Sequence, residues 1–181
     1  MKIVRASIPE VLLITPTLVQ DARGSFFESF RENVLAREAG QPVHFVQENY
    51  SYSLRHVLRG LHYQIEQPQA KLVQVISGTV FDVAVDVRRS SPTFGQWVGY
   101  ELSAESHNAV WIPAGFAHGF VCLSDGAAIL YKVTDYWAPQ HERRIRWNDA
   151  ELAIGWPLQA EPLLSPQDAA APAFRDADLF P

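Results

Sequence analysis

Two residues that a sheet interior rarely tolerates, Arg59 and His62, stand inside the strand-like run Val57-Leu-Arg-Gly-Leu-His-Tyr-Gln64. Guanidinium and imidazole groups are buried only where something answers their charge or their ring nitrogens. Side chains alternate along a strand, so residues three apart point to opposite faces. For Arg59 and His62 to serve one pocket the strand must twist or bulge, and Gly60 is where that costs least. The plainer alternative is an edge strand with two solvated polar side chains. Lys71, Asp82, His118, Tyr131 and Lys132 also fall inside predicted strands. A histidine near its usual pKa of ~6.5 accepts a proton at neutral pH, and a phenol of pKa ~10 can return one. His and Tyr on a common cavity are therefore a natural base and acid. Tyr131 taken by itself reads better as a core or rim aromatic with its hydroxyl satisfied, and Lys132 faces the other way. An interior holding this many ionisable groups favours the functional reading, because a purely structural core would need a partner for each.

Metal chemistry finds little support. His44, His62, His118 and His141 are scattered, no H-x-H or H-E-x-x-H pair is present, and His62 is followed two residues on by Gln64, a poor substitute for a second imidazole. Pro113-Ala-Gly-Phe-Ala-His118 resembles the second motif of the cupin superfamily, but the His-x-His of its first motif is missing. No metal site is expected.

The elements that must position these residues are mostly strands. Ile3–Ala6 and Val11–Val19 are short extended segments, and Pro9 and Pro16 place them at edges or turns. Asp21-Ala-Arg-Gly24 is a turn, Asn33–Ala39 a short helix stopped by Gly40, and Phe45–Tyr50 a strand carrying amides and a carboxylate. From Lys71 the pattern is all-β: Lys71–Ser77 and Thr79–Val87 joined near Gly78, then Trp97–Leu102. Asn108–Ile112, Ala117–Leu123 and Ala127–Thr134 complete a meander. Short strands with close Gly/Pro turns indicate a sandwich or barrel. The last forty or so residues read as a wrap-around tail with one or two short helices.

At 181 residues the chain suits one domain, 1–181, with a sizeable core. A net charge of -5 with no dense Lys/Arg cluster excludes a nucleic-acid footprint, since Arg143, Arg144 and Arg146 are offset by nearby acids. The single Cys122 excludes an intrachain disulfide framework. There is no secretory-type leader pattern and no apolar run of membrane-spanning length. A cytoplasmic enzyme or binding protein, without membrane or nucleic-acid partners, is expected.

An ordered series of motifs narrows this further. Asp21-x-Arg23-Gly24 with Phe27 and Glu28, Phe45-Val46-Gln47-x-Asn49, Leu58-Arg-Gly-Leu-His-Tyr-Gln64, Lys71-Leu-Val73, Gly78-x-Val80-x-Asp82-Val83, Asp86-x-Arg88, Ser91-Pro-Thr93, Ile112-Pro-x-Gly-Phe-Ala-His-Gly-Phe120, Leu130-Tyr-Lys132 and Ile145-Arg-Trp147 resemble the dTDP-4-dehydrorhamnose 3,5-epimerase family, in the family's order. The resemblance implies an all-β, cupin-like jelly-roll barrel with short peripheral helices, assembled as a homodimer and needing no cofactor. It implies His62 as general base, Asp168 of Leu164-Ser-Pro-Gln-Asp168 as its partner, Tyr131 as general acid and Lys71 as the group that stabilises enolate charge. Arg23, Phe26, Glu28, Gln47, Asn49, Arg59, His118 and Trp137 are implied in holding the nucleotide diphosphate and the sugar. The substrate would be a dTDP-4-keto-6-deoxyhexose. Glu48-Asn-Tyr-Ser-Tyr-Ser53 departs from the family's usual Asp-Asn-His-Ser-x-Ser. Inversion at both C3 and C5, inversion at one of them, transfer of the carbonyl by a keto-isomerase, and a non-catalytic sugar-nucleotide-binding barrel remain as alternatives.

Overall fold

The strand Thr79–Asp86 is apolar on both faces, and the architecture follows from what covers each. Val80 and Ala84 belong to a core cluster between two sheets, whereas Val83 and Val85 belong to a second cluster beneath the C-terminal segment. The computed structural model describes residues 1–181. In chain order the elements are β1 (Lys2–Arg5), β2 (Leu12–Thr15), β3 (Val19–Asp21), β4 (Gly24–Phe26), α1 (Glu32–Ala39), β5 (Gln47–Leu54) and β6 (Leu58–Gln64). They continue with β7 (Lys71–Ser77), β8 (Thr79–Asp86), β9 (Trp97–Ser103), β10 (Ala109–Ile112), β11 (Phe116–Cys122), β12 (Gly126–Val133), β13 (Glu142–Arg144) and α2 (Pro166–Ala169).

One sheet has six strands in the order β1-β2-β10-β7-β12-β5, the other five in the order β13-β6-β11-β8-β9, and β3 and β4 form a separate hairpin. The expected barrel is not formed. Both large sheets are open, with β1 and β5 at the edges of one and β13 and β9 at the edges of the other. Hydrophobic alternation tells which face of a strand is buried but not whether the outermost strands pair, and closure depends on that pairing. The expected meander is corrected too. β10, β11 and β12 are not successive neighbours, because β10 and β12 flank β7 in the first sheet while β11 lies in the second. The turns after Ile112 and Cys122, like Gly78, carry the chain across the sandwich. Gly78 has φ +77°, and an added Cβ would lie 2.1 Å from the Gly126 carbonyl oxygen.

The main core fills the space between the sheets, with Val73, Val75, Val110 and Ile129 facing Val80, Leu102, Phe116 and Phe120. Outside the six-stranded sheet, α1 seats Leu35 against Leu12, Ile14 and Trp111. This helix ends at Gly40, left-handed at φ 70°, whose N–H donates to the last-turn carbonyls. Outside the five-stranded sheet, Leu152, Phe174, Ala177 and Leu179 of the C-terminal segment cover Leu61, Val83 and Val85. That coverage brings Asp168 to the sandwich.

Candidate active site

The problem posed by Arg59 and His62 is solved by a bulge at Gly60. His62 pairs with His118 and Arg59 with Phe120, so two residues of β6, Gly60 and Leu61, oppose Gly119 alone. The extra residue reverses the alternation, and Arg59 and His62 reach the same cavity. The backbones touch here. Gly60 has φ +135°, and a Cβ on it would lie 2.5 Å from the Gly119 Cα.

The cavity, about 480 Å³, lies between the sheets. His62 and Arg59 from β6, His118 from β11 and Arg144 from β13 line one wall; Ser51 from β5, Lys71 from β7 and Tyr131 from β12 line the facing wall. A lobe of about 220 Å³ shares His62, Lys71, Tyr131 and Glu142 with it and adds Gln47, Asn49 and Trp137. His62 and Tyr131 thus face each other from opposite sheets.

Asp168 is 3% exposed and its Oδ1 lies 2.6 Å from His62 Nε2. An ionised carboxylate only accepts, so Nε2 carries the proton and Nδ1 is left with a free lone pair. Burial works to raise the Asp168 carboxyl, but the hydrogen bond and charge of His62, the Ser165 hydroxyl and Arg144 outweigh it and hold the group below its ordinary value. Its backbone is fixed as well: Ser165 Oγ caps α2 by accepting from the Asp168 N–H at 3.1 Å. Just upstream, Leu58 N–H donates to the Leu163 carbonyl, and Leu163 N–H to that of His56.

Burial lowers the Lys71 ammonium to about 8, with Asp82 and Glu142 pulling in the opposite direction. The Tyr131 hydroxyl is raised by burial, partly countered by Arg59 and reinforced by Glu142, so it holds its proton at neutral pH. His118 Nε2 lies 2.8 Å from Asp82 Oδ2 in a buried pair at the cavity wall. Arg59 is anchored by Nε to Ser53 Oγ at 3.0 Å and by Nη2 to the Tyr52 carbonyl at 3.1 Å, which leaves Nη1 free for an anion. Gln47 donates to Asn49 Oδ1 at 2.8 Å and accepts from the Trp137 N–H at 3.1 Å. The Trp137 ring, 59% exposed, donates from Nε1 to Glu142 and forms a flat rim. Gln64 lines the smaller lobe and braces it, donating to the Gln67 and Tyr136 carbonyls and accepting from the Ala138 N–H. No three His, Cys, Asp or Glu side chains gather as a metal would require.

Three expected ligand-binding residues are elsewhere. Leu12 pairs with Trp111 and Ile14 with Ala109, and those pair with Leu72 and Gln74. The chain leaving β2 therefore travels away from the Lys71 end of the sandwich. It forms the β3–β4 hairpin there, with Phe27 stacked on His107 at 4.7 Å. Arg23 pairs only with Asp21, Phe26 is 74% exposed, and Glu28 pairs with Arg31. Conversely, Glu142, Arg144, Ser51 and Gln167 line the cavity without having been singled out in the sequence. Glu142 and Arg144 stand on β13, a three-residue charged strand with no apolar alternation to reveal it.

A cleft with a histidine–carboxylate pair on one wall, and a phenol and an ammonium on the other, defines a protein built to move protons to and from a bound ligand. The comparisons agree. The family model for dTDP-4-dehydrorhamnose 3,5-epimerase matches residues 5–176. The chain is 61% identical over 181 residues to the dTDP-4-dehydrorhamnose 3,5-epimerase of Pseudomonas aeruginosa, covering 100% of both. It superposes with TM-score 0.95, at 50% identity and over 98% of this chain and 94% of the other, on a dTDP-6-deoxy-D-glucose-3,5-epimerase from Legionella pneumophila in complex with dTDP-4-keto-L-rhamnose. A 3'-monoepimerase from Streptomyces bikiniensis in complex with dTDP-quinovose is similar at 37% identity and TM-score 0.89, over 94% and 87%. The chain belongs to the dTDP-4-dehydrorhamnose 3,5-epimerase family.

Proposed function

We propose that this protein converts dTDP-4-dehydro-6-deoxy-D-glucose to dTDP-4-dehydro-L-rhamnose, as a single domain over residues 1–181. The observation that carries the reading is the pairing of His62, backed by Asp168, with Tyr131 on the facing sheet. A 4-keto group acidifies the protons on C3 and C5. His62 Nδ1 removes one, charge gathers on O4 beside the Lys71 ammonium, and the Tyr131 hydroxyl returns a proton from the other side. The imidazolium then gives its proton to solvent and the phenolate takes one back. No electrons change hands, so the reaction as written calls for no redox cofactor, and the charge on O4 is met by the Lys71 ammonium. Arg59 meets the diphosphate, Gln47, Asn49 and His118 the sugar, and Trp137 the base.

The chain acts as a homodimer in this reading. Arg23, Phe26 and Glu28 would then reach the nucleotide bound by the partner, because their hairpin points away from its own cleft. An exposed apolar strip on the six-stranded sheet, with Tyr50, Tyr52, Leu54 and Ile76, supports association. No helix is long and apolar enough to cross a membrane, in keeping with a cytoplasmic enzyme.

Inversion at one carbon only is the second reading, favoured by the likeness to the 3'-monoepimerase. Proton NMR of the 4-keto substrate incubated with the protein in deuterated water decides between them. Deuterium and inversion at both C3 and C5 are expected. Deuterium at one carbon gives the second reading, and deuterium at neither ends both.

A further inference from the structure

Where β6 pairs with β11, His118 stands directly opposite His62, and both line the cavity. Each ring has its own carboxylate, but the two pairs are not equivalent. His62 is 31% exposed in its side chain, whereas those of His118 and Asp82 are 10% and 2% exposed. The reaction proposed above turns His62 into an imidazolium in a cleft that already holds the Lys71 ammonium. The Arg59 and Arg144 guanidiniums line it as well, and a further cation on His118 in the same low-dielectric space would oppose the new charge.

We propose that Asp82 is a positioning residue that holds His118 as a neutral imidazole with its proton on Nε2, presenting Nδ1 to the ligand as a hydrogen-bond acceptor. The inference deepens the epimerase reading and rests on it for the nature of the ligand: Nδ1 would receive a sugar hydroxyl near the reacting carbon. The geometry fixes the tautomer, since Asp82 Oδ2 can only accept from Nε2 at 2.8 Å. Neutrality follows from the surroundings. Burial pushes His118 below its ordinary value; Asp82 pulls upward by charge and hydrogen bond, while Lys71 on β7 and His62 on β6 push down. Tyr131 of β12, across the cavity, is uncharged at neutral pH. Asp82 therefore orients the ring without charging it, and the cleft keeps its capacity for one new positive charge, on His62.

Nitrogen-15 NMR of the imidazoles in the ligand-free protein at about pH 6 to 8 reads the tautomer without any substrate. The His118 signals are identified by their loss in His118→Asn. A protonated Nε2 and a bare Nδ1 across the range are expected. In Asp82→Asn the amide can donate to Nε2, so the proton should move to Nδ1. There kcat should fall about 10–100-fold, as for other supporting hydrogen-bond partners, with dTDP binding unchanged. A wild-type His118 that is doubly protonated at neutral pH, or carries its proton on Nδ1, overturns the proposal. So does Asp82→Asn with a wild-type kcat. Failure of the epimerase reading would show separately, as wild-type protein that neither exchanges nor inverts the 4-keto sugar.

Discussion

Burial gives the residues of the cleft separate tasks, and each task has its own experimental signature. His62 alone combines a solvent-accessible ring with a buried carboxylate behind it. His62→Asn is expected to abolish both deuterium exchange and inversion while leaving dTDP binding intact; a variant still exchanging at the wild-type rate would remove His62 as the base. Asp168→Asn keeps the shape but loses the charge that steadies the imidazolium, and the rate should fall ~10²-fold or more. Tyr131→Phe should differ in kind, with deuterium still entering at the reacting carbon and inversion lost, as NMR of the recovered sugar would show. The pH dependence follows from Lys71. Its ammonium is present below about pH 8 and lost above it, so kcat should fall as pH rises through that value. The same shift bears on stability with a definite sign. Between about 8 and the ordinary 10.5 the unfolded chain binds the additional proton, so this group's contribution makes folding more favourable as pH rises across that window. Urea melts at several pH values check it.

At the scale of elements, the bulge in β6 is the device on which the site depends. Gly60→Ala places a Cβ against Gly119 at a positive φ, and should cost about 2–4 kcal/mol, read as a lower denaturation midpoint, with activity impaired in what remains folded. The need for this bulge was legible in Val57–Gln64, because two ionisable residues at odd spacing cannot share a face otherwise. Strand positions were legible for the same reason: alternation in Thr79–Val87 and Lys71–Ser77 marks faces directly, and Gly40 marks the end of α1. Pairing was not. Whether the segments of β10, β11 and β12 lie side by side or on opposite sheets depends on how each turn crosses the core, and a Pro-Ala-Gly turn looks alike in both cases. β13 escaped notice because Glu142-Arg-Arg144 offers three charges and no period, although two of the three line the cavity. Asp168 was identified by its motif context, since nothing local to Pro166–Ala169 shows that its carboxylate is buried.

For the whole molecule, the distance between hairpin and cleft sets the strongest test. If Arg23 serves the partner's nucleotide, Arg23→Ala and His62→Asn subunits are each inactive or weak alone. Unfolded and refolded together in equal amounts, they should regain about a quarter of wild-type activity, since half the dimers are mixed and each mixed dimer has one intact site of two. No recovery would mean that Arg23 does not act across the interface; a fully active monomer in sedimentation would remove the dimer altogether. A different consequence attaches to the order in which the parts are made. All thirteen strands precede Asp168 in the chain, yet His62 has no carboxylate until Ser165 and α2 settle over β6. A chain made only as far as its strands would therefore hold the phenol and the ammonium while His62 is still unsupported and Leu61, Val83 and Val85 are still uncovered. A single protease cut between Arg144 and Leu163 would let go both the carboxylate behind His62 and the cover over Leu61, Val83 and Val85 whenever the severed segment drifts away.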